Sequence, residues 1–350
     1  MSQTGIEEVL EDLFKSYESC KSTLIEDETP KLVKEVDSEA EETDLRKLGT
    51  DMNYKFKKQH WSVYLFFIIW HVGALFGLYY CFNGAKLATV VWAAVLAVLN
   101  NQATVLAAHR AYSHRSFKPT KALKLAFIFF QTMAGQNSIF WWARDHRVHH
   151  KYTDTDADPY NASRGFFFAH AGWFLVKKHP AVMEKSKGID VSDLLDDEWI
   201  MFQRKYFPEL FFLIGFLFPI LVPYYLWDEN LWISFNVAFC LRYMIVLHTI
   251  STINSFGHTY GNKPFDKRIR PVMSNIVHWA TGGDGWHNFH HCFPWDYGLS
   301  EFGYGKGLST WSIEFFAKHG YAYDLKKASD HVVIAHSARH GDGSHKIISS

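Results

Sequence analysis

Four apolar runs constrain this chain more than any other feature. They are Trp61–Phe82 (22 residues), Leu87–Ala108 (22), Leu210–Trp227 (18) and Leu231–Ser255 (25). A helix rises about 1.5 Å per residue and a bilayer's hydrocarbon core is about 30 Å thick, so each run is long enough, or nearly so, to cross it. Helices buried in soluble proteins are usually shorter and less uniformly apolar. The runs fall into two pairs, joined by the short turns 83–86 and 228–230. Ala122–Gly135 is also apolar, but too short to span, and reads as an interfacial or buried helix.

Charge orients the four spans. The two turns together hold one lysine, whereas residues 109–209 hold 15 Lys/Arg, residues 45–60 hold 5 and residues 256–350 hold 10. Basic loops stay cytoplasmic. Both termini and the long central loop are therefore expected in the cytosol. The fold class that follows is an all-α integral membrane protein. Two helical hairpins would carry a helical cytosolic cap formed by 109–209 and 256–325.

The flanks read differently. Residues 1–50 form an acidic segment whose first 44 residues hold 14 acidic and 4 basic side chains; this reads as a disordered cytosolic tail. Nothing near Met1 has the pattern of a signal peptide. Residues 51–325 read as one domain and 326–350 as a flexible tail. The whole chain balances 36 Lys/Arg against 36 Asp/Glu, which speaks against nucleic-acid binding. Its four cysteines are far apart with no CxxC, so neither a disulfide framework nor a cysteine metal site is expected.

Twenty histidines are the compositional oddity. Nine of them fall in four places: His109 and His114 in HRAYSH, His146, His149 and His150 in HRVHH, His258 in NSFGH, and His287, His290 and His291 in HNFHH. The orientation deduced without them puts all four places on one side of the membrane. In H-x2-H-H the three residues share one helix face and can offer imidazoles to a common point. In H-x4-H the two lie about 140° apart on an α-helix, which suits a helix end or two different ions. Neutral imidazole binds Fe, Zn, Cu and Ni, and nine are too many for one ion and suit two. His60, His71, His170, His179, His248, His278 and His319 read as surface or satisfied core residues, and His331, His336, His340 and His345 as solvated.

From Trp61 to Tyr323 the chain closely resembles the membrane-bound acyl-CoA desaturases, the stearoyl-CoA desaturase family. The three histidine boxes match in type and order. WARDHRVHHKYTDTDADPYN, LVKKHPAV, MFQRKYFP and GDGWHNFHHCFPWDYG extend the match. The resemblance implies four spans below a cap that holds two iron ions. The nine histidines would be ligands, with Asn254 reaching one ion through water. It implies O2-dependent insertion of a cis double bond into a saturated acyl-CoA. Electrons would come from cytochrome b5 and its NADH-dependent reductase, at the endoplasmic reticulum membrane. Asn137, Arg144, Asp145, Lys177 and Lys178 would grip the CoA, and Gln136 and Trp142 would line the bend of the acyl tunnel. No HPGG haem motif of a fused cytochrome b5 occurs.

The chain departs from the family pattern at Ala111-Tyr112, at Asn100-Asn101-Gln102-Ala103-Thr104-Val105, at Trp61-Ser62-Val63 and at Ile250-Ser251. All nine ligand positions remain, so these changes bear on substrate and double-bond position. The rival readings are a histidine-rich di-iron hydroxylase, a desaturase of a non-CoA lipid, a membrane metal transporter and a non-catalytic homologue. A transporter would carry its ligands inside the spans, where this chain has them at span ends and in loops.

Overall fold

The computed structural model describes residues 48–299 and 306–345. Most of the expected acidic tail lies outside them. Four helices are long and apolar enough to cross a membrane: α1 (Trp61–Phe82), α2 (Leu87–Ser113), α6 (Phe207–Trp227) and α7 (Leu231–His258). Between them lie α3 (Lys121–Ala134), α4 (Ile139–Lys151) and α5 (Phe166–His170). After them come α8 (Asn275–Thr281), α9 (His287–Cys292), α10 (Leu308–Lys318) and α11 (Asp330–His340). A two-stranded ribbon, β1 (Lys118–Pro119) against β2 (Ala322–Tyr323), closes the cap.

The spans are not equivalent. Within an apolar 18-residue stretch of each, 17% of α1 and 22% of α6 is buried, against 61% of α2 and 67% of α7. The first and third are thus outer helices, and the second and fourth form the inner pair that runs on into the cap. α2 continues to Ser113 and α7 to His258, past the ends of their apolar runs. Their polar ends stay helical because they are buried in protein. At the opposite end the two short turns interlock. The Glu229 carboxylate accepts from the Lys86 amide (2.8 Å) and the Thr89 hydroxyl, while the Lys86 ammonium donates to the Trp227 and Asp228 carbonyls.

α1 docks through its only two buried residues, Gly73 and Gly77, one turn apart. A Cβ on Gly77 would overlap the Asn236 carbonyl of α7, and one on Gly73 the Cys240 sulfur. Small residues four apart let backbones approach in a lipid setting, where packing replaces hydrophobic drive. Arg242 of α7 is buried with no carboxylate paired to it among the described residues. Its guanidinium instead donates to the carbonyls of Ala238, Met133 and Gly215, bolting α7 to α3 and α6.

The three consecutive amides of α2 face protein. Asn101 and Gln102 both donate to the Thr281 carbonyl (2.7 and 3.1 Å), and Gln102 accepts from Ser309. With its amide turned so that both atoms find partners, Asn100 donates to the Phe130 carbonyl and accepts from Arg242. Buried polar groups that are hydrogen-bonded cost little, so the departure at 100–102 ties span to cap.

The C-terminal segment differs from its reading as a flexible tail. α11 packs Val333 into an apolar cluster with Phe265, Phe289 and Phe293. Ser337 donates to the Pro264 carbonyl, and the His340 carbonyl accepts from the Lys267 amide. His336 is half-buried and His345 buried, not solvated. A short helix with few apolar residues carries little periodic signal, so its docking partner decides its state.

Gly77→Leu should cost about 1–3 kcal/mol through overpacking. Thermal unfolding in detergent should show a lower Tm for it, whereas Phe76→Leu, on the exposed face, should leave Tm unchanged.

Candidate metal centre

α2 delivers the first two histidines. Its last ten residues, Thr104–Ser113, wind as a π-helix. In that winding each amide bonds five residues back, and the His114 amide indeed donates to the His109 carbonyl (3.2 Å). Residues five apart are then nearly in line. His109 and His114 therefore meet at one place, with ring centroids 5.0 Å apart. The 140° expected for an α-helix does not apply. Ser138 caps α4, whose His146, His149 and His150 face inward. α7 ends with His258, and α9 supplies His287, His290 and His291.

All nine histidines converge, in two clusters. His109, His114, His146, His150 and His290 form one; His149, His258, His287 and His291 form the other. Within each, one nitrogen per ring lies within 4.8 Å of every other. Each H-x2-H-H box is split. Its i,i+4 pair serves one cluster and its middle residue crosses to the other, so the boxes do not aim at single points.

Three carboxylates stand behind the rings. Asp284 lies 3.0 Å from His109 Nδ1 and 2.8 Å from Arg110; Asp158 lies 2.9 Å from His149 Nδ1; Asp154 lies 3.0 Å from His258 Nδ1. A carboxylate accepts only if Nδ1 carries the proton, which leaves the Nε2 lone pair free to bind a cation. The sequence reading assigned these aspartates no role, although all three sit in motifs it singled out. The carboxylates lie 104, 9 and 175 residues from the rings they face, separations with no helical period to reveal them.

The electrostatics suit a cation. Burial first, and neighbouring imidazoles second, hold His146, His150, His287, His290 and His291 well below the usual imidazole range. They are neutral at physiological pH. Burial works the same way on His149, but the Asp158 carboxylate outweighs it and raises that pKa. Burial would raise Asp284, yet His109 and Arg110 bring it down to about 2. Facing pairs of Nε2 atoms lie 2.9 Å apart for His109 and His290, 2.9 Å for His114 and His146, and 3.0 Å for His258 and His287. Nδ1 of His287 and His290 and Nε2 of His149 and His150 have no hydrogen-bond partner among the described residues. Neutral rings with unshared lone pairs directed at one another fit two bound metal ions.

A cavity of about 330 Å³ opens beside the first cluster. His109 and His146 form part of its wall, as do five of the expected substrate residues: Gln136, Asn137, Trp142, Asp145 and Lys178. Asn254 is on that wall too, one turn before His258. Trp142 stacks on His146 at 4.9 Å. Val105, Ile250 and Ser251, from the divergent segments, line the apolar part. Arg144 is not on the wall; it pairs with Asp145 (2.9 Å) and lies over the Trp141 ring. Burial opposes charge on Asp145, but Lys178 and Arg144 prevail and lower its pKa. Lys177 lies in a neighbouring surface hollow with Lys57, Lys178 and Lys187. Lys178 belongs to both, so the hollow and the cavity are adjacent. Lys57 and Lys187 were not expected there, since lone lysines carry no signal.

Three of the histidines read as surface or satisfied core residues are linked. His71 Nε2 lies 3.0 Å from His248, whose Nδ1 lies 3.0 Å from His170, which in turn reaches Ser255 at 2.9 Å. Satisfied polar groups inside spans are the usual way such residues are tolerated.

The family model of the fatty acid desaturases matches residues 85–324. The chain belongs to the fatty acid desaturase family. Among curated desaturases it is similar to an acyl-CoA Delta-9 desaturase of Acheta domesticus, 44% identical over 82% of this chain and 80% of the relative. It is similar as well to stearoyl-CoA desaturase 5 of Bos taurus, 46% identical over 78% and 82%. A (11Z)-hexadec-11-enoyl-CoA conjugase of Bombyx mori is 46% identical over 79% and 84%. Both histidine clusters fall within the matched desaturase region.

Removing an outer-shell partner typically costs 10–100-fold in metal affinity. Asp158→Asn and Asp284→Asn should therefore each weaken metal retention about 10–100-fold, read by metal analysis after dialysis against a graded chelator. A second expectation concerns pH. Histidines held below their free value of 6.5 stay neutral in the fold while the unfolded chain takes up protons. Stability is then full above about pH 6.5 and falls as pH drops below it. Thermal melts of the metal-stripped protein should show Tm falling from about pH 7 to 5.5.

Proposed function

We propose that this chain is an acyl-CoA desaturase, inserting a cis double bond into a saturated acyl-CoA with O2. The observation that carries the reading is the cavity wall, which has His109 and His146 at one part and the Asp145–Lys178 pair at another. Such a wall suits a substrate with an apolar chain and an anionic head. The reaction removes two hydrogens from adjacent carbons. With two electrons and two protons from outside, O2 leaves as two waters.

The two clusters are read as an iron site, held by the nine histidines with Asn254 acting through water. Imidazole also suits zinc, but zinc has no redox chemistry, and this reaction is an oxidation. Bound iron would supply O2 activation and the oxidising power. The chain's own residues do the rest. Asp154, Asp158 and Asp284 fix ring orientation. Trp142, stacked on His146, and Gln136 shape the cavity near the first cluster. Asn137, Arg144, Asp145 and Lys178 would hold the head of the substrate. Lys177, with Lys57 and Lys187, offers cations to its phosphates. Arg144 acts through Asp145, which it holds ionised.

Electrons are assigned to cytochrome b5 and its NADH-dependent reductase. The part of the chain beyond residue 44 carries a net positive charge, which favours docking of an acidic carrier. The protein is a multi-pass membrane protein. Residence in the endoplasmic reticulum is inferred from the family resemblance, and the cytosolic placement of the cap and both termini from the charge of the loops.

The test is complementation of yeast lacking its own acyl-CoA desaturase, with mass-spectrometric mapping of double bonds. New monoenes are expected from the wild type and none from His290→Ala at equal expression. Deleting cytochrome b5 in the same cells should lower the yield. A hydroxylated product would replace this reading with a hydroxylase.

A further inference from the structure

The cap gathers a third set of ligand-type side chains away from the two histidine clusters. Asp266 lies in the segment between α7 and α8, Cys292 ends α9, and His336 lies in α11. Their carboxylate oxygen, sulfur and ring nitrogen all lie within 4.8 Å of one another. The resemblance that assigns the nine histidines gives these three no role.

One member of this set is left unsatisfied. His336 Nε2 is buried and has no hydrogen-bond partner among the described residues. It lies 3.7 Å from Asp266 Oδ2, too far for a hydrogen bond. That spacing suits two ligands of one tetrahedral ion, whose bonds of about 2.0–2.3 Å put donors roughly 3.3–3.8 Å apart. Cys292 is a free, partly buried thiol packed against the Phe265, Phe289 and Phe293 cluster. Arg268 donates to both Asp266 oxygens, at 2.9 Å from Nε and 2.6 Å from Nη2. The Arg268 amide also donates to Oδ1 (2.9 Å), and Nε makes a longer contact to Oδ2 (3.2 Å), so Oδ1 is filled. Of the four or so lone-pair sites of a carboxylate, one is left on Oδ2, the oxygen nearest His336, and Arg268 would orient it toward an ion.

We propose that Asp266, Cys292 and His336 form a zinc site, with water as fourth ligand, that clasps the C-terminal helix α11 to the histidine-box helix α9. Sulfur, nitrogen and oxygen together favour zinc over calcium or magnesium, which take oxygen. Binding replaces the thiol proton: Cys–SH and Zn²⁺ give Cys–S–Zn⁺ and a released H⁺. The clasp joins three segments that otherwise meet through a small apolar cluster and a few hydrogen bonds. Cys292 directly follows His291, so the ion would also stiffen the helix that presents three imidazoles to the metal centre.

The test uses full-length protein whose two histidine clusters have first been filled with iron. Zinc is counted by elemental analysis, and Co²⁺ then serves as the spectroscopic probe. The wild type should bind one zinc equivalent more than Cys292→Ser, at unchanged iron content. Its cobalt form should show a thiolate-to-metal charge-transfer band that Cys292→Ser lacks. His336→Ala should weaken zinc at least tenfold and raise hydrogen exchange across residues 330–340. Equal zinc counts with no cysteine-dependent band would overturn the site. So would a parallel loss of iron in both variants, because the third set would then be part of the iron centre's own support.

Discussion

Proton placement on nine imidazoles is the constraint on which this structure depends. Rings packed this closely cannot all be charged, and a neutral ring has only one lone pair to give. Asp154, Asp158 and Asp284 settle the question for His258, His149 and His109 by taking the Nδ1 proton outward. Asp284 can remain ionised in a fully buried position because Arg110 stands beside it. The centre is therefore a layered object: rings inside, carboxylates around them, and a guanidinium behind one of the carboxylates.

That centre is only as well placed as the two inner spans that reach it. α2 and α7 carry histidines of the two clusters at their cap ends and cross the apolar layer below. Polar side chains fix them where lipid cannot. Asn101 and Gln102 converge on one carbonyl of the cap, and Arg242 draws three backbone carbonyls together. Each of these groups would be costly in a bilayer alone, and each donates instead to a backbone carbonyl. The outer helices contribute mainly by contact, as the paired glycines of α1 illustrate.

Much of the plan was legible in the sequence because it rests on strong periodic signals. Long apolar runs specified four helices and their pairing, and loop charge placed the histidine boxes on one side. The nine histidines needed nothing more to be recognised as a group. What escaped was whatever depends on contact between distant segments. The division of each box between two clusters follows from helix orientation, not spacing. The supporting aspartates lie at irregular separations. Lys57 and Lys187 join the basic hollow only through folding. α11 and the His71–His248–His170 chain show the same limit, since residues that look isolated along a chain become neighbours once helices pack. The expectation for HRAYSH failed for a narrower reason: it assumed an α-helical turn where the backbone is wound more widely.

That wider winding sets the terms on which this protein can vary. In the segment Thr104–Ser113, the meeting of His109 and His114 depends on the number of residues between them and on the turn, and little on which residues they are. Ala111 and Tyr112 can therefore stand there without moving either ligand. Adding or removing one residue would swing His114 around the helix and out of its cluster. The stretch behaves as a fixed-length spacer, open to exchange of side chains and closed to any change of count.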